Sequence, residues 1–315
     1  MSTIRSILFV VFTLWLFLAV ILQFTLLYFI LRHSPRSFRI FKWLLAYSSI
    51  SQLVTILSCY FNQFGIITNV KPMVIKSFGL CRCFEPRVCF FSYVIIVVST
   101  YFSNTAIFST FYFKFRSVKT VALRDSHVAK FMILIHVPVT TIIALKVWFY
   151  QEMVPFFDKA SEDPQKYKSD EWSIFAIIDE NARAFPCLNL ALAIGAVWLP
   201  VFCCFLRKRI LNQVNMRMQR HSAIKRSQHS TFVTGLTIQV MIPSCLYPLA
   251  YTIFYFYYLN DMTIPLVNLY NFILIGVPPL VDPIVCLYFV TPFRKTVQGW
   301  MGKSNSQIFS TSKAV

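Results

Sequence analysis

The carboxyl group of Asp282 lies where a charge is least expected. It belongs to the apolar run Leu274–Arg294, LIGVPPLVDPIVCLYFVTPFR, between the proline pair Pro278-Pro279 and Pro283. A carboxylate in hydrocarbon costs about 3 kcal/mol even on lenient insertion scales, and prolines in such a run free backbone carbonyls that need other partners. The run therefore predicts surrounding helices that shield Asp282 and supply those partners.

Few other groups could do chemistry at membrane depth. Besides thiols and tyrosines, the apolar runs hold Asp282, His136 and Lys146 as ionisable side chains, and their spacing indicates no shared site. We interpret His136 as a neutral, packed imidazole. The nine cysteines form no CxxC pair and no Cys/His pattern suited to a metal. The sequence therefore predicts neither an enzyme nor a cofactor or metal site.

Composition indicates the class of protein. Of 315 residues, 57% are hydrophobic, 17% aromatic and 13% charged, and the mean hydropathy is +0.61, far from a soluble globular protein. The net charge of +18 could favour nucleic acid as a partner, but the basic residues occur in clusters between apolar runs rather than as one patch. We predict a polytopic membrane protein that contacts the lipid bilayer and no nucleic acid.

Apolar runs of spanning length recur along the chain. A helical span needs about 20 predominantly apolar residues. Runs of this kind occupy residues 7–31, 44–64, 88–113, 131–150, 184–206, 230–258 and 265–290. The predicted fold class is an all-α membrane protein, a seven-transmembrane helix bundle forming a single domain over 1–315. In the tail, 291–315, Phe293, Val297 and Trp300 recur at helical spacing, which predicts a short amphipathic helix at the inner interface.

Charge in the connecting segments predicts the orientation of the bundle. The segments after the first, third, fifth and seventh spans are basic and contain a single acid, Asp125, whereas the longest loop, 151–183, is acidic. By the positive-inside rule, the basic segments are cytoplasmic. The N-terminus is therefore predicted outside the cell and the C-terminus inside.

Cysteines near the predicted outer face are candidates for disulfides, which persist on an oxidising side. The acidic loop has no cysteine, so a bridge from the third span to that loop is excluded. A bridge from Cys89 to Cys187 and a bridge within the first outer loop, which holds Cys81, both stay open. Cys83 is then an extra free thiol.

Several motifs follow one another along the chain: Ser34-Pro35-Arg36-Ser37, Ser51-Gln52, the stretch Gly79–Phe90 (GLCRCFEPRVCF), Gln239 with Pro243, and Pro278–Arg294. Together they resemble the nematode serpentine chemoreceptors, and the closest resemblance is to class delta (Srd) of the Str superfamily of seven-transmembrane receptors. Leu80 stands where that family has proline, and Cys83 where it has an aromatic residue. The third span lacks the acidic-arginine-tyrosine triplet of rhodopsin-like receptors, so their switch mechanism does not transfer.

The resemblance implies a GPCR-like fold and a chemosensory, olfactory role. It implies a receptor in the plasma membrane of sensory neurons, in their cilia, that binds an extracellular small molecule and signals to an intracellular heterotrimeric G protein. The alternative is a seven-helix transporter or ligand-gated channel. Neither inverted repeats nor a glycine-rich re-entrant segment is visible in the sequence, which weakens that alternative without excluding it.

Location in the predicted bundle assigns candidate residues to three roles. Outer-half residues with aromatic or semi-polar character could line the ligand pocket: Tyr93, Phe185, Asn189, Tyr251, Tyr255 and Tyr270. The candidates for a switch or relay are Asp282, Pro283, Pro243 and Gln239. The candidates for a G-protein face are Arg116, Arg207, Lys208, Arg209 and Arg226.

Three of these assignments keep a structural alternative. Asp282 is either a structural carboxyl hydrogen-bonded to neighbouring helices or a functional switch. Pro243 and Pro248 kink the sixth span, and the kink is either a hinge or a static bend. The inner basic residues likewise have a structural alternative, because they orient the chain in the membrane and contact lipid headgroups as well as offering a surface to a partner.

Overall fold

A computed structural model gives the architecture of the chain. It describes residues 2–35, 39–67, 73–119, 127–128, 130–138, 141, 143–145, 148, 173–178, 198, 201–213, 216, 230–246, 249 and 265–300. We call the end of the helices that carries the loop 65–87 the outer end, and the opposite end the inner end, following the orientation that the charges predict.

The first three helices begin earlier than their predicted spans. Helix α1 covers Ser2–His33, α2 covers Arg39–Asn62 and α3 covers Pro86–Lys119. Their interiors hold neither glycine nor proline, and Pro86 occupies the first position of α3, where its missing N–H removes no helical bond. Regular backbone bonding therefore continues to the ends of all three helices.

Helix α1 separates a buried face from an exposed apolar face. Ala19, Gln23, Leu26 and Ile30 recur at helical spacing and are buried. Large apolar side chains are exposed on the opposite side: Val10, Leu14, Phe17, Leu18, Ile21, Phe24, Tyr28 and Leu31. A continuous exposed stripe of this kind suits contact with lipid tails, because it would be unfavourable in water.

The remaining described helices follow in chain order. Residues 130–138 belong to α4 and residues 201–213 form α5. Helix α6 covers Ser230–Leu246, α7 covers Pro265–Phe289 and α8 covers Thr291–Trp300. Helix α8 occupies the segment in which an amphipathic helix is predicted, and it turns away from α7 by 84°. Within the described part of the chain, α1, α2 and α3 are long and apolar enough to cross a membrane, and α7 with α8 adds a fourth crossing if the bent pair counts as one span.

A small antiparallel sheet covers the outer end, where the sequence predicts only loops. Strand β1 (Phe64–Ile67) pairs with β2 (Met73–Ser77), and β2 pairs with β3 (Ser173–Ile178). The strands are rich in Ile and Val, whose branched side chains favour extended backbone. Because β3 comes from the acidic loop, the sheet joins two loops that are far apart in the sequence.

The main apolar core fills the inner half of the bundle. Its fully buried aromatic rings come from three helices, with Phe29 on α1, Phe111 and Phe113 on α3, and Phe293 on α8. The ring centroids of Phe29 and Phe293 lie 6.2 Å apart in an edge-to-face arrangement, a favoured geometry for aromatic pairs. Helix α8 is therefore anchored to α1 by packing as well as to α7 by the chain.

Helices α6 and α7 approach each other closely at Gly235. A Cβ atom on Gly235 would lie 2.4 Å from the Cβ of Phe289, much closer than carbon atoms in van der Waals contact. Glycine is therefore required by the close approach of the two helices near the inner end.

We expect Gly235→Ala to destabilise the folded protein by about 1–3 kcal/mol, because the added methyl group overpacks the contact between α6 and α7. The matched control is Gly299→Ala on α8, where an added Cβ would meet no atom within 4 Å. Thermal denaturation of the purified protein in detergent measures both. Equal melting midpoints for the two variants would show that α6 and α7 do not approach each other in this way.

Candidate functional site

Asp282 lies on α7 with 2% of the residue exposed. Its Oδ2 accepts a hydrogen bond from Nε2 of Gln52 on α2, whereas Oδ1 has no hydrogen-bond partner among the described residues. The same nitrogen of Gln52 donates to Oγ of Ser103 on α3 at 3.0 Å. Gln52 thus connects α7 to α3 through one side-chain amide.

Gln23 on α1 satisfies a carbonyl that proline leaves free. Because Pro283 has no N–H, the carbonyl of Pro279 cannot make its usual helical hydrogen bond four residues along α7. Nε2 of Gln23 donates to that carbonyl at 2.7 Å and to Oε1 of Gln52 at 2.6 Å. The sequence predicts that freed carbonyls need partners on other helices, and Gln23 is such a partner.

These contacts form one connected network. Ser49 on α2 donates to Oε1 of Gln23 at 2.5 Å, which occupies the remaining acceptor of that amide. We call the five hydrogen-bonded side chains the polar core: Gln23, Ser49, Gln52, Ser103 and Asp282. All five are buried, so each lost hydrogen bond would leave a polar group without water to replace it.

Two small cavities flank Asp282, each with a volume of about 10 Å³. One is lined by Ser48, Gln239 and Cys286, among others, and the other by Thr100 and Pro243, among others. Small-molecule sites have volumes of about 300–1,000 Å³, whereas these cavities have room for about one water molecule each. The polar core is therefore a contact between helices and not a ligand pocket in this conformation.

Helix α6 contacts α7 beside the polar core. Nε2 of Gln239 donates to Sγ of Cys286 at 3.0 Å, and Pro243 lines a cavity that Asp282 also lines. The structure thus brings together the residues for which the sequence predicts a relay, with Pro283 next to Asp282 on α7. Helix α6 thus joins α1, α2, α3 and α7 around the polar core. Because α6 contains Pro243, it is also a helix that can bend.

The outer end contains a disulfide and an aromatic contact. Cys81 and Cys89 are joined, with their Cα atoms 5.4 Å apart, which corresponds to the alternative of a bridge within the first outer loop. Cys83 is exposed and unbridged. Tyr93 on α3 is half-buried, and its ring lies edge-on to Phe64 of β1 at 5.2 Å. Tyr93 therefore lies directly beneath the sheet.

Most of the other residues that the sequence predicts near the outer end or at the bend of the sixth span lie outside the described part of the chain. Those that lie outside the described residues are Phe185, Cys187, Asn189, Pro248, Tyr251 and Tyr255. Tyr270 belongs to the helical backbone of α7, and its side chain also lies outside the described part of the structure. Of the residues predicted to line the ligand pocket, the structure therefore describes the side chain of Tyr93 alone.

Exposed cations lie at the inner end of α5. Arg207, Lys208 and Arg209 are exposed, and the guanidinium of Arg209 lies 4.6 Å from the ring centroid of Phe205. Arg116 on α3 is half-buried, while Arg226 and Lys146 fall outside the described residues. The predicted G-protein face is thus represented by cations on α3 and α5 near the inner surface.

Lys114 departs from its sequence-based assignment. The sequence places it in the basic segment after the third span, but α3 continues to Lys119 and leaves Lys114 with 6% of its surface exposed. Helical periodicity explains the difference, because Ile107, Phe111 and Lys114 share one buried face of α3. Lys114 is therefore a buried cation and not part of a solvated loop.

His136 on α4 has the environment of a packed neutral imidazole. Nδ1 approaches the carbonyl of Met132 at 2.5 Å, and Nε2 lies 2.6 Å from the hydroxyl of Tyr47. The carbonyl can only accept, so Nδ1 donates to it, and Nε2 is then free to accept from the tyrosine hydroxyl. This arrangement binds α4 to α2 and requires no charge on the ring.

The chain is similar to known proteins over most of its length. The family described as "Serpentine type 7TM GPCR chemoreceptor Srd" matches residues 8–299. "Serpentine receptor class delta-40" of Caenorhabditis elegans is 29% identical over 304 residues, which cover 94% of this chain and 93% of the relative. "Serpentine receptor class delta-44" of the same organism is 24% identical over 300 residues, covering 94% and 92%, and "Serpentine receptor class delta-48" is 26% identical over 288 residues, covering 88% of each.

Proposed function

Because this chain belongs to the serpentine class delta family of seven-transmembrane chemoreceptors, we propose that it binds a small molecule from outside the cell and transmits the signal to a heterotrimeric G protein inside. The family is one of receptors and not of enzymes. The fold is a helical membrane bundle, and we infer that its helices move relative to one another when the signal is transmitted.

The observation that carries this proposal is the polar core. Its hydrogen bonds link α1, α2, α3 and α7 at one level of the bundle, and Gln239 of α6 contacts α7 beside it. A ligand that shifts the outer part of α7 must also rearrange these bonds, because buried polar groups cannot exchange partners with water. We infer that the helices also adopt a second arrangement with different hydrogen bonds, and two such arrangements would form the bistable element that a receptor requires.

Asp282 acts in this mechanism as a relay and not as a ligand contact. Phe289, at the inner end of α7, lies seven positions further along the chain, a distance of about 10 Å along a helix axis. A ligand that enters from the outside therefore contacts the upper part of the bundle, where we assign the pocket to Tyr93, Phe185, Asn189, Tyr251, Tyr255 and Tyr270. The ring of Tyr93 contacts Phe64 of the sheet that joins the two outer loops.

The inner surface supplies the contact for the G protein. With the N-terminus outside and the C-terminus inside, the cations of α3 and α5 face the cytoplasm: Arg116, Arg207, Lys208 and Arg209, together with Arg226. Cations on this surface steer an acidic partner and also contact lipid headgroups. We assign the receptor to the plasma membrane, in the cilia of sensory neurons.

A ligand screen in cells with a second-messenger readout tests the proposal. We expect at least one small molecule to raise the signal in cells that express the chain at the surface, and the response to disappear in otherwise identical cells that lack G-protein α subunits. Ligand-dependent currents that persist in those G-protein-deficient cells would instead support a ligand-gated channel. Antibody access to a C-terminal epitope on intact cells would contradict the orientation and favour a transporter or channel.

A further inference from the structure

Lys114 makes an unusual set of contacts at the inner end of the bundle. Its Nζ lies 5.6 Å from the ring centroid of Phe41 on α2 and 5.0 Å from that of Phe232 on α6. The two rings lie edge to face, 5.8 Å apart, and both residues are buried. We call this arrangement the aromatic cage, defined by Phe41, Lys114 and Phe232.

The cage does not supply the counter-charge that a buried ammonium group favours. The described carboxylates are those of Glu85 at the outer end and Asp282 in the polar core, and none of them pairs with Lys114. Aromatic faces attract a cation, but more weakly than a carboxylate does in a water-excluded site. A buried lysine held in this way favours any conformation in which an anion reaches it.

The chain itself offers almost no anion on this side of the membrane. The inner segments contain one acid, Asp125, and many cations. The rim of the inner surface is also basic, with Arg116 on α3 and exposed cations on α5. An anion that reaches Lys114 therefore comes most readily from a protein that docks on the inner surface.

The cage can open without unfolding of the bundle. Phe232 lies in the first turn of α6, and Pro243 lies about three turns further along the same helix. A bend at Pro243 would move the inner end of α6 and carry Phe232 away, while Phe41 and Lys114 stay on α2 and α3. One side of the ammonium group would then face the cytoplasm.

We propose that Lys114 is a conformation-dependent binding site for a carboxylate group of the intracellular partner, closed by Phe232 in this conformation and opened by movement of α6. The proposal rests on the proposed signalling to a G protein, and it assigns to the partner an acidic side chain or a free C-terminus that enters the inner mouth of the bundle. Lys114 is then distinct from the surface cations, which attract the partner without entering the bundle.

A carboxylate introduced beside Lys114 in the purified full-length receptor tests the binding site without any partner protein. We expect Phe232→Glu to melt at a higher temperature than Phe232→Gln, because the glutamate carboxylate takes the place of the ring beside Lys114. The difference should vanish when both variants also carry Lys114→Met. If Phe232 variants do not fold, Phe41→Glu and Phe41→Gln serve as a second pair. A glutamate that brings no Lys114-dependent stabilisation at either position would overturn the proposal.

Nucleotide exchange on purified heterotrimeric G proteins tests the role of the partner. We expect Phe232→Ala to raise ligand-independent exchange by about 2- to 30-fold, the range that a lost cation–π contact represents. Adding Lys114→Met should abolish this increase, whereas Lys114→Arg should keep it. If Lys114 only holds the closed conformation, Lys114→Met alone will raise exchange as Phe232→Ala does, which contradicts the proposal.

Two further results separate the proposal from its premise. If Asp125→Asn reproduces the effect of Lys114→Met, the carboxylate belongs to the receptor itself and the proposal is wrong. If a ligand-activated wild-type receptor stimulates none of the G proteins, the proposed function fails, while the paired melting temperatures still decide whether Lys114 accepts a carboxylate.

Discussion

Replacing Gln23 by leucine is expected to remove most of the protein from the cell surface. The change leaves three buried groups without their partner, namely the amide oxygen of Gln52, the hydroxyl of Ser49 and the carbonyl of Pro279. Each unsatisfied buried group costs about 1–3 kcal/mol. Their sum is comparable to the whole stability of a folded domain, about 5–15 kcal/mol.

Surface labelling of intact cells and the melting midpoint of the purified protein measure this effect. The matched control is Thr25→Val on the same helix, because the hydroxyl of Thr25 bonds to the carbonyl of Ile21 within α1 and to no other helix in the described part of the chain. Normal surface expression and an unchanged midpoint for Gln23→Leu would mean that the polar core does not hold α1 against α7.

Replacing Asp282 by asparagine should separate folding from signalling. Asparagine keeps the side-chain volume and an oxygen that can accept the hydrogen bond from Gln52, so we expect surface expression to remain near that of the unmodified protein. The substitution removes the group that can carry a charge. If Asp282 relays movement between α7 and its neighbours, ligand potency should change by about 5- to 150-fold, the usual range of coupling between two sites.

Dose–response curves with an activating ligand, corrected for surface expression, measure the effect. Ser109→Ala is a suitable control, because its buried hydroxyl bonds to the carbonyl of Thr105 within α3. Asp282→Leu is expected to reduce expression, since it deprives Gln52 of an acceptor and changes the shape of both cavities. Unchanged potency and expression for Asp282→Asn would leave Asp282 a structural carboxyl.

The sequence predicts which buried groups need a hydrogen-bond partner, but it does not predict which residue supplies that partner. The apolar run around Asp282 predicts that neighbouring helices must shield a carboxyl and satisfy a proline-freed carbonyl, and both needs are met. The donor, Gln23, is visible in the sequence only as a polar interruption of the first span. Its pairing with Pro279 depends on how two helices pack, and no local pattern records that geometry.

Lys114 and the outer sheet show two further features that the sequence alone does not predict. Counting charges treats every lysine after a span as solvated, although the positions of Ile107 and Phe111 place Lys114 on the buried face of α3. The short Ile- and Val-rich segments of β1 and β2 carry a strand signal, but β3 comes from a loop about a hundred residues away. Pairing between distant segments is set by the tertiary fold and not by local propensity.

The contact between Gln23 and Pro279 also has a consequence for biosynthesis. The two residues are 256 positions apart, so α1 leaves the ribosome with a polar side chain long before α7 brings its partner. Until α7 is inserted, Gln23 has neither Pro279 nor the completed polar core to satisfy it, and a polar group in lipid is unfavourable. Insertion of α7 therefore completes the polar core, and a copy in which α7 is missing or misinserted exposes the amide of Gln23 without the carbonyl of Pro279.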